Sequence, residues 1–558
     1  MNRQHLPNLI IIAILGLGTL ARLTLLGLQR FHEDEALYSS WGLRIASGED
    51  MWLARIPADK PPLFFYLQAS VFALLGPSET AARLPSLVAS LISIGLLYLL
   101  VQRLWDQPTA LTAAALLAAS PFAISFAPTA FLDPLMGMWV LAACLAVTRG
   151  RWGWAGVLLG LAGATKWEGW AFLPLVVGLG VCLHSSPGSH AQPTTRVPLP
   201  QREGAGKGEI PSRSPDDPVR PFHSNAIIHS LPTSLWQGEG IRSPHNVWVM
   251  HMRLTLGLLA IVALVGCWDL ARPQPSILQQ LRANYGGLAL APPEMWGERL
   301  RGWASLLQYA FYHPWLNAIF LAGLSLLLLA DLISESANPR ICELLAHSPI
   351  RPFAHSHVDL LLVTFLILFL AALTLLRIPL WDRYLLALVP FGCLLLARVL
   401  WLPRRFLTRS SEARFALSIL VTVLLLCTLP LPMRDAAAGR FPIGGDHGAY
   451  QGIEQVVAYF RGHVMGGAIL YHRWLGHHYQ FYMYRFPYAF RWWRTPEELA
   501  QDAVTAADVE RWIVFPNWQD EGPARIALAA RGLRLIPRHR IYRDDGSLSF
   551  TIYQIEGP

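Results

Sequence analysis

The hydrocarbon core of a bilayer is about 30 Å thick, so a helix that crosses it needs about 20 mostly apolar residues in succession. This chain meets that demand repeatedly. Eleven candidate spans lie near residues 8–28, 82–102, 109–127, 133–148, 153–165, 169–184, 247–267, 314–332, 358–376, 385–401 and 414–431. Lipid offers the backbone no hydrogen bonds, so such segments must close their own, and a polytopic helical bundle is the expected fold. The fourth, fifth and sixth runs are short or broken by Gly and Pro, which leaves their ends loosely defined. Of the 558 residues, 53% are hydrophobic and only 15% are charged, against about 25% charged in a soluble domain. The net charge of +8 falls largely in short connections, where basic residues orient helices. It therefore gives no reason to expect a nucleic-acid partner.

Arginine placement sets the expected orientation. With the N-terminus cytoplasmic, Arg3, Arg103, Arg149, Arg151, Arg404, Arg405 and Arg409 all fall in cytoplasmic connections, as the positive-inside bias requires. The same parity puts four segments outside a plasma membrane: the loop from Arg30 to about Arg83, the turn before Asp133, the turn Trp381-Asp382-Arg383-Tyr384, and everything after Leu431. The first run precedes no small-residue cleavage site and reads as an uncleaved helix.

Residues 1–432 thus form the expected membrane domain, with two interruptions. Residues 185–246 are rich in Ser, Pro, Gly and Arg and read as a disordered cytoplasmic insertion. Residues 269–312 read as an outer loop whose amphipathic Trp296 to Leu307 stretch lies in the interface. Residues 433–558 form an extracytoplasmic α/β or α+β domain. Its signals are helical spacing of Ile453, Val456, Val457 and Phe460, a capping box at Thr495-Pro496-Glu497-Glu498, and strand-like runs at 468–471, 512–515, 533–542 and 548–555. The turn Asp544-Asp545-Gly546 makes the last two a hairpin.

Asp34 and Glu35 stand side by side just beyond the first apolar run. Carboxylates at the lip of a span face a cavity, pair with a partner or do chemistry. Asp59-Lys60-Pro61-Pro62 follows in the same loop, Asp133 opens the fourth span, Lys166 closes the fifth, and Asp382-Arg383-Tyr384 precedes a late one. Widely separated charges are thereby expected on one face.

That ordered set resembles the integral-membrane glycosyltransferases of the C superfamily, in the branch holding protein O-mannosyltransferases and bacterial lipid A aminoarabinose transferases. The resembling residues are Asp34-Glu35-Ala36-Leu37-Tyr38, Asp59-Lys60-Pro61-Pro62-Leu63, Phe131-Leu132-Asp133, Thr165-Lys166-Trp167 and Asp382-Arg383-Tyr384-Leu385-Leu386. The likeness covers residues 8–184 well and 358–401 less fully. The chain departs from the aminoarabinose type at Leu37 and Asp59, and its 269–312 stretch is too short for the globular domain that protein O-mannosyltransferases carry.

The resemblance implies transfer of a sugar from a polyprenyl-phosphate donor to an acceptor on the extracytoplasmic side, with inversion at the anomeric carbon. Nucleotide sugars are not expected outside the cytoplasm, so a lipid-borne donor fits the expected sidedness. Asp34 is the expected general base and Glu35 its supporting acid. Lys60 and Arg383 are candidates for the leaving phosphate, with Tyr38, Tyr384 and Asp133 as further donor contacts. Asp59, Lys166 and Asp382 form a second tier.

Blander readings exist for each. Asp34 and Glu35 could simply favour a helix N-terminus, Asp133 could cap its helix, Lys60 could snorkel, Lys166 could anchor at the interface, and Asp382 with Arg383 could be a structural ion pair. His472, His477 and His478 have no recognised ligand spacing, and the six cysteines form no CxxC. A divalent metal is therefore not indicated, and the cofactor is left open. The aromatic and Arg-rich segment 471–494 is expected to dock on the membrane domain. The rival function is a transporter or lipid flippase, against which stand the lack of internal repeats and the position of the acids at span ends.

Overall fold

The computed structural model describes residues 6–184, 244–285, 289–336, 357–401 and 411–557. The expected insertion at 185–246 therefore lies almost wholly outside the described residues. The first half is a run of nine helices: α1 Leu6–Leu23, α2 Glu33–Ala46, α3 Leu63–Leu75, α4 Glu79–Leu104, α5 Gln107–Ala119, α6 Pro121–Phe126, α7 Asp133–Thr148, α8 Trp152–Thr165 and α9 Leu173–His184. Further helices follow at Pro244–Leu270, Pro314–Ser336, His357–Leu375, Val389–Trp401 and Ser411–Cys427. Among the described residues, six helical segments are long and apolar enough to cross a membrane, and shorter apolar helices fill the bundle between them. The chain is a multi-pass membrane protein. Each of the eleven expected spans falls mainly on helix, but residues 24–28 of the first are turn, the third is divided between α5 and α6, and the tenth between Arg383–Leu386 and Val389–Trp401.

Local chemistry starts these helices where they start. Ser78 accepts the Ala81 N–H at the head of α4, and Asp106 accepts from Thr109 at the head of α5 with Pro108 behind it. The 26 residues of α4 give a rod of about 39 Å at 1.5 Å per residue, ample for a bilayer. Close helix contact is made through glycine: a Cβ on Gly156 of α8 would lie 1.9 Å from the Leu254 carbonyl oxygen, and one on Gly257 would lie 2.3 Å from that of Gly153. Such small-residue seams supply van der Waals contact where lipid supplies no hydrophobic drive. Arg22, fully buried in α1, donates to Ser90 Oγ and to the carbonyls of Gly18, Ala118 and Leu117, which ties α1 to α4 and α5.

The first inter-span loop is helical rather than irregular. α2 and α3 pack on each other, and α3 is a 13-residue apolar helix that hydropathy at span length passes over. In the 269–312 stretch the expected amphipathic helix is Pro293–Leu307, and a second short helix, Ile277–Tyr285, precedes it.

The tail domain is a five-stranded mixed sheet. Its strands are β1 Ile469–His472, β2 Ala489–Trp492, β3 Arg511–Pro516, β4 Arg534–Tyr542 and β5 Leu548–Glu556, in the order β2-β1-β3-β5-β4. β1 runs parallel to β2 and β3, while β5 is antiparallel to β3 and β4. Alternate residues of each strand serve opposite faces. Leu470, Trp512 and Val514 join the cluster under helix Ile453–His463, whereas Ile469, Tyr471, Ile513 and Phe515 join that of helices Pro496–Thr505 and Gly522–Ala529. Phe441 and Ile443 belong to the bundle's apolar cluster and Tyr450 to the tail's.

The two parts meet through helix Gly476–Tyr482, which packs against α2. Phe481 stacks edge-on against Phe31 with ring centroids 5.0 Å apart. Buried His478 bonds the Phe31 carbonyl at 2.9 Å through Nε2, and the Tyr482 hydroxyl donates to Glu79. The expected docking role of segment 471–494 is met by this helix.

Candidate active site

α2 begins at Glu33, with His32 as its N-cap. His32 Nδ1 accepts the Asp34 N–H at 3.1 Å, and the Glu35 carboxylate reaches back to the His32 N–H at 3.3 Å, a reciprocal capping box. Adjacent helical residues point about 100° apart, so the two acids cannot face the same way. Glu35 turns inward and is fully buried; it accepts from Arg83 at 3.0 Å and from the Ala130 N–H at 2.8 Å. Asp34 keeps a side chain 27% exposed and pairs with the Arg383 guanidinium. Tyr38, one turn on, lies on the Asp34 side of the helix.

Arg383 is held from several directions. It opens a short helix, Arg383–Leu386, capped by Asp382, which accepts the Arg383 N–H through one oxygen at 2.8 Å and the Gly444 N–H through the other at 2.7 Å. Asp382 thus braces the backbone of Arg383, and its oxygens go to main-chain amides. The guanidinium carbon sits 4.1 Å from the Trp381 ring centre and 5.4 Å from that of Phe131, a planar cation stacked between aromatic faces.

Two further acid–base pairs complete the cluster. Lys60 Nζ bonds Asp59 at 2.8 Å, both nearly buried, and Asn284 donates to the same carboxylate at 3.1 Å. Lys166 Nζ bonds Asp133 at 2.7 Å and Glu168 at 3.1 Å, and lies 4.5 Å from the Tyr384 ring centre. Asp133 occupies the first turn of α7 but makes no cap bond there; its oxygen goes to Lys166. Lys60 acts electrostatically on Asp34, and both Tyr38 and Asp133 act on Arg383. Residues from α2, the following loop, α7, the α8 exit and the late 381–384 turn therefore share one site.

The local field divides the acids. Burial alone would raise the Asp34 pKa, but Arg383 above all, then His32 and Lys60, hold it below the usual carboxylate range. Glu33 goes the other way: burial, and then the Asp34 charge, push it up to about 7. Burial lowers His32. Asp133 also lines a small, largely apolar cavity of about 30 Å³, walled by Ser93, Leu117, Phe126, Gly137 and Leu386.

Sequence reasoning passed over His32, Glu33, Trp381 and Asn284. The dipeptide Glu33-Asp34 was a usable signal, since like charges in contact raise one another's pKa. Asn284 had none, because nothing local says that residue 284 folds back onto residue 59. Among the described residues no grouping of three His, Cys, Asp or Glu is disposed to hold a metal ion.

A likeness to membrane glycosyltransferases, which the sequence suggests, is found again in comparisons with known proteins. ArnT from Cupriavidus metallidurans in the apo state superposes with a TM-score of 0.58 over 99% of this chain and 98% of that one, at 12% identity. The same protein bound to undecaprenyl phosphate gives 0.53 over 98% and 97%, at 13% identity. Residues 59–190 match the family described as dolichyl-phosphate-mannose-protein mannosyltransferase. The undecaprenyl phosphate-alpha-4-amino-4-deoxy-L-arabinose arabinosyl transferase of Pseudomonas paraeruginosa is 31% identical over 186 residues, which is 32% of each chain. The aligned segment thus spans about a third of that relative's length.

Proposed function

We propose that this protein transfers a sugar from a polyprenyl-phosphate carrier to an acceptor on the extracytoplasmic face, with Asp34 as general base. The observation that carries the proposal is the Asp34–Arg383 pair, set among the Lys60–Asp59 and Lys166–Asp133 pairs. The cations offer partners for the donor's phosphate. The arabinosyl transferase likeness favours a pentose-type donor, and the positions of the arginines favour a cytoplasmic N-terminus.

In this mechanism Arg383 has two successive partners. Before donor arrives it neutralises Asp34 and makes it a weak base. The donor's phosphodiester offers a bidentate guanidinium two oxygens that share one negative charge, and gains a second charge as the sugar leaves, so bound donor draws Arg383 towards itself and leaves Asp34 more basic. Asp34 then takes the proton of the acceptor hydroxyl, whose oxygen attacks the anomeric carbon as the bond to the phosphate oxygen breaks. The polyprenyl phosphate leaves with its negative charge met by Arg383 and Lys60. Displacement from the opposite side inverts the anomeric centre. Glu35, with its oxygens taken by Arg83, Ala130 and His32, acts as a positioning group for α2. Tyr38 and Tyr384 contact donor, Asp133 fixes Lys166, and Asp59 fixes Lys60.

The test is incubation of purified protein with radiolabelled polyprenyl-phosphate sugars and membrane acceptors. Label leaves the lipid with wild type and falls by about 10²–10⁴ in Asp34→Asn at equal expression. Undiminished transfer in that variant removes Asp34 from the mechanism. Lipid movement across vesicles without any sugar product would favour the flippase reading instead.

A further inference from the structure

Asp382 stands beside Arg383 in the chain, and a carboxylate so near is a natural competitor for the guanidinium. Its oxygens are committed elsewhere: one accepts the Arg383 N–H at 2.8 Å and the other the Gly444 N–H at 2.7 Å. The first bond is local. The second comes from 62 residues further on, in the segment that carries the chain out of the bundle and into the tail.

That segment is seated closely. Ile443, 1% exposed, belongs to the bundle's apolar cluster and Tyr450 to the tail's. Between them Gly444 and Gly445 both have left-handed backbone, with φ of 69° and 70°, a conformation open to glycine without steric cost. A Cβ on Gly444 would stand 3.0 Å from the Ser125 carbonyl group and Cβ, and one on Gly445 would run into the Gln29 side chain. Beyond the glycines, Asp446 accepts the Tyr450 N–H at 3.0 Å, and Tyr450 stacks on His478 with ring centres 4.2 Å apart. His478 in turn bonds the Phe31 carbonyl, directly ahead of the α2 N-cap. The tail therefore holds the chain just before the helix that carries Asp34 and again just before Arg383.

We propose that Gly444 is a positioning residue for the Asp34–Arg383 pair: its amide holds the Asp382 carboxylate away from the guanidinium, so that Arg383 stays with Asp34 until donor arrives. This role rests on the transfer reading. Without the Gly444 bond, Asp382 keeps only the amide of its own neighbour and is free to turn towards the guanidinium. Arg383 is then shared between two carboxylates. Its hold on Asp34 weakens, and the donor's phosphate meets a rival of its own charge. The tail thus enters the chemistry through a main-chain amide, without offering a side chain to the substrate.

The experiment measures transfer of label from radiolabelled polyprenyl-phosphate sugars by the full chain, for Gly444→Ala and Asp382→Asn, each alone and in an Arg383→Lys background. A methyl group at 444 changes no charge but displaces the turn from Asp382, while Asp382→Asn keeps one acceptor oxygen and loses the other. Each should lower kcat/KM about ten-fold, the worth of one hydrogen bond. Gly444→Ala should also carry the acidic limb of the pH profile upward, because Asp34 loses part of the cation that keeps its pKa low. The other titratable groups about Asp34, which are His32 and Glu33 beside it, Lys60 of the loop, and Tyr450 and His477 of the tail, are the same in that variant. Neither substitution should cost anything further once Arg383 is lysine, since a residue that acts through Arg383 has nothing left to act on. Gly439→Ala, which places the same left-handed strain in open space, should transfer as wild type does. Losses that add in full to that of Arg383→Lys, or Gly444→Ala at the wild-type rate, overturn the proposal. Should Gly444→Ala fail to fold, the Asp382→Asn cycle decides by the same criterion. A wild type that moves no label removes the transfer reading and this role with it, whereas additive losses in an active wild type remove this role alone.

Discussion

At the scale of single residues, the division of labour between neighbours is set by helix geometry. Asp34 and Glu35 are the same chemistry one position apart, yet one meets Arg383 at a partly exposed face and the other meets Arg83 in the dry interior. The sequence shows the pair but not which member meets Arg383. A consequence for pH dependence follows from Arg383. Because this guanidinium keeps the Asp34 pKa low, weakening the contact lets it rise, and the protonated, inactive form then persists to higher pH. Arg383→Lys should therefore move the acidic limb of the kcat/KM profile upward and lower the rate, since an ammonium neither stacks on Trp381 and Phe131 nor binds phosphate bidentately. A pH profile with the acidic limb unmoved would mean that Arg383 does not set the state of Asp34. Glu33, pushed up to about 7 by burial and the Asp34 charge, should contribute its own ionisation near neutrality, and Glu33→Gln should erase it from the profile.

At the scale of elements, the stability of α2 hangs on one interior carboxylate. Glu35 closes the capping box, holds the Ala130 amide and compensates Arg83, whose side chain is 2% exposed. Removing one partner of a buried ion pair costs about 3–5 kcal/mol. Glu35→Ala should accordingly lower the melting temperature of the detergent-purified protein markedly, and by more than Asp34→Ala, which leaves the nearly buried Arg383 unpaired at a site that water still reaches through the 27% exposed side chain of residue 34. What could be read from the chain at this scale follows a physical rule. Helices that satisfy both hydropathy and length were legible, as were the Thr495 capping box and the Asp544-Asp545-Gly546 hairpin, because their signals are local. α3 was missed because its residues fall inside the Arg30 to Arg83 stretch that was assigned to an outer loop. β2 was missed because an edge strand with the exposed sequence Ala489–Trp492 has no clean alternation of apolar and polar residues. The convergence of Asp34, Lys60, Asp133 and Arg383 was legible only through span parity. Lys166–Asp133 as a pair was not, since both residues had adequate separate explanations.

At the scale of the whole molecule, the tail domain and the bundle are joined by packing as well as by chain. Phe481, 7% exposed, fits between Phe31 and Phe72, and burial holds His478 neutral, its pKa pushed down to about 3, beneath the Phe31 carbonyl. Truncating such a phenylalanine costs about 3–5 kcal/mol. The tail keeps its own two apolar clusters, so Phe481→Ala should loosen docking rather than unfold the sheet. Limited proteolysis between Ala438 and Tyr450 should quicken, and transfer should fall, with the tail fragment itself staying resistant. Undocking has a particular geometry to overcome, because the Asp34 end of α4 carries both clamps: Arg83 grips the acidic helix through Glu35, and Glu79, one turn away, takes Tyr482 of the tail. A roof fastened to the same post as the floor cannot swing open on a hinge. For a donor carried in lipid, the remaining doorway is sideways, between helices, and turnover would then be governed by how fast carriers drift through the plane of the bilayer.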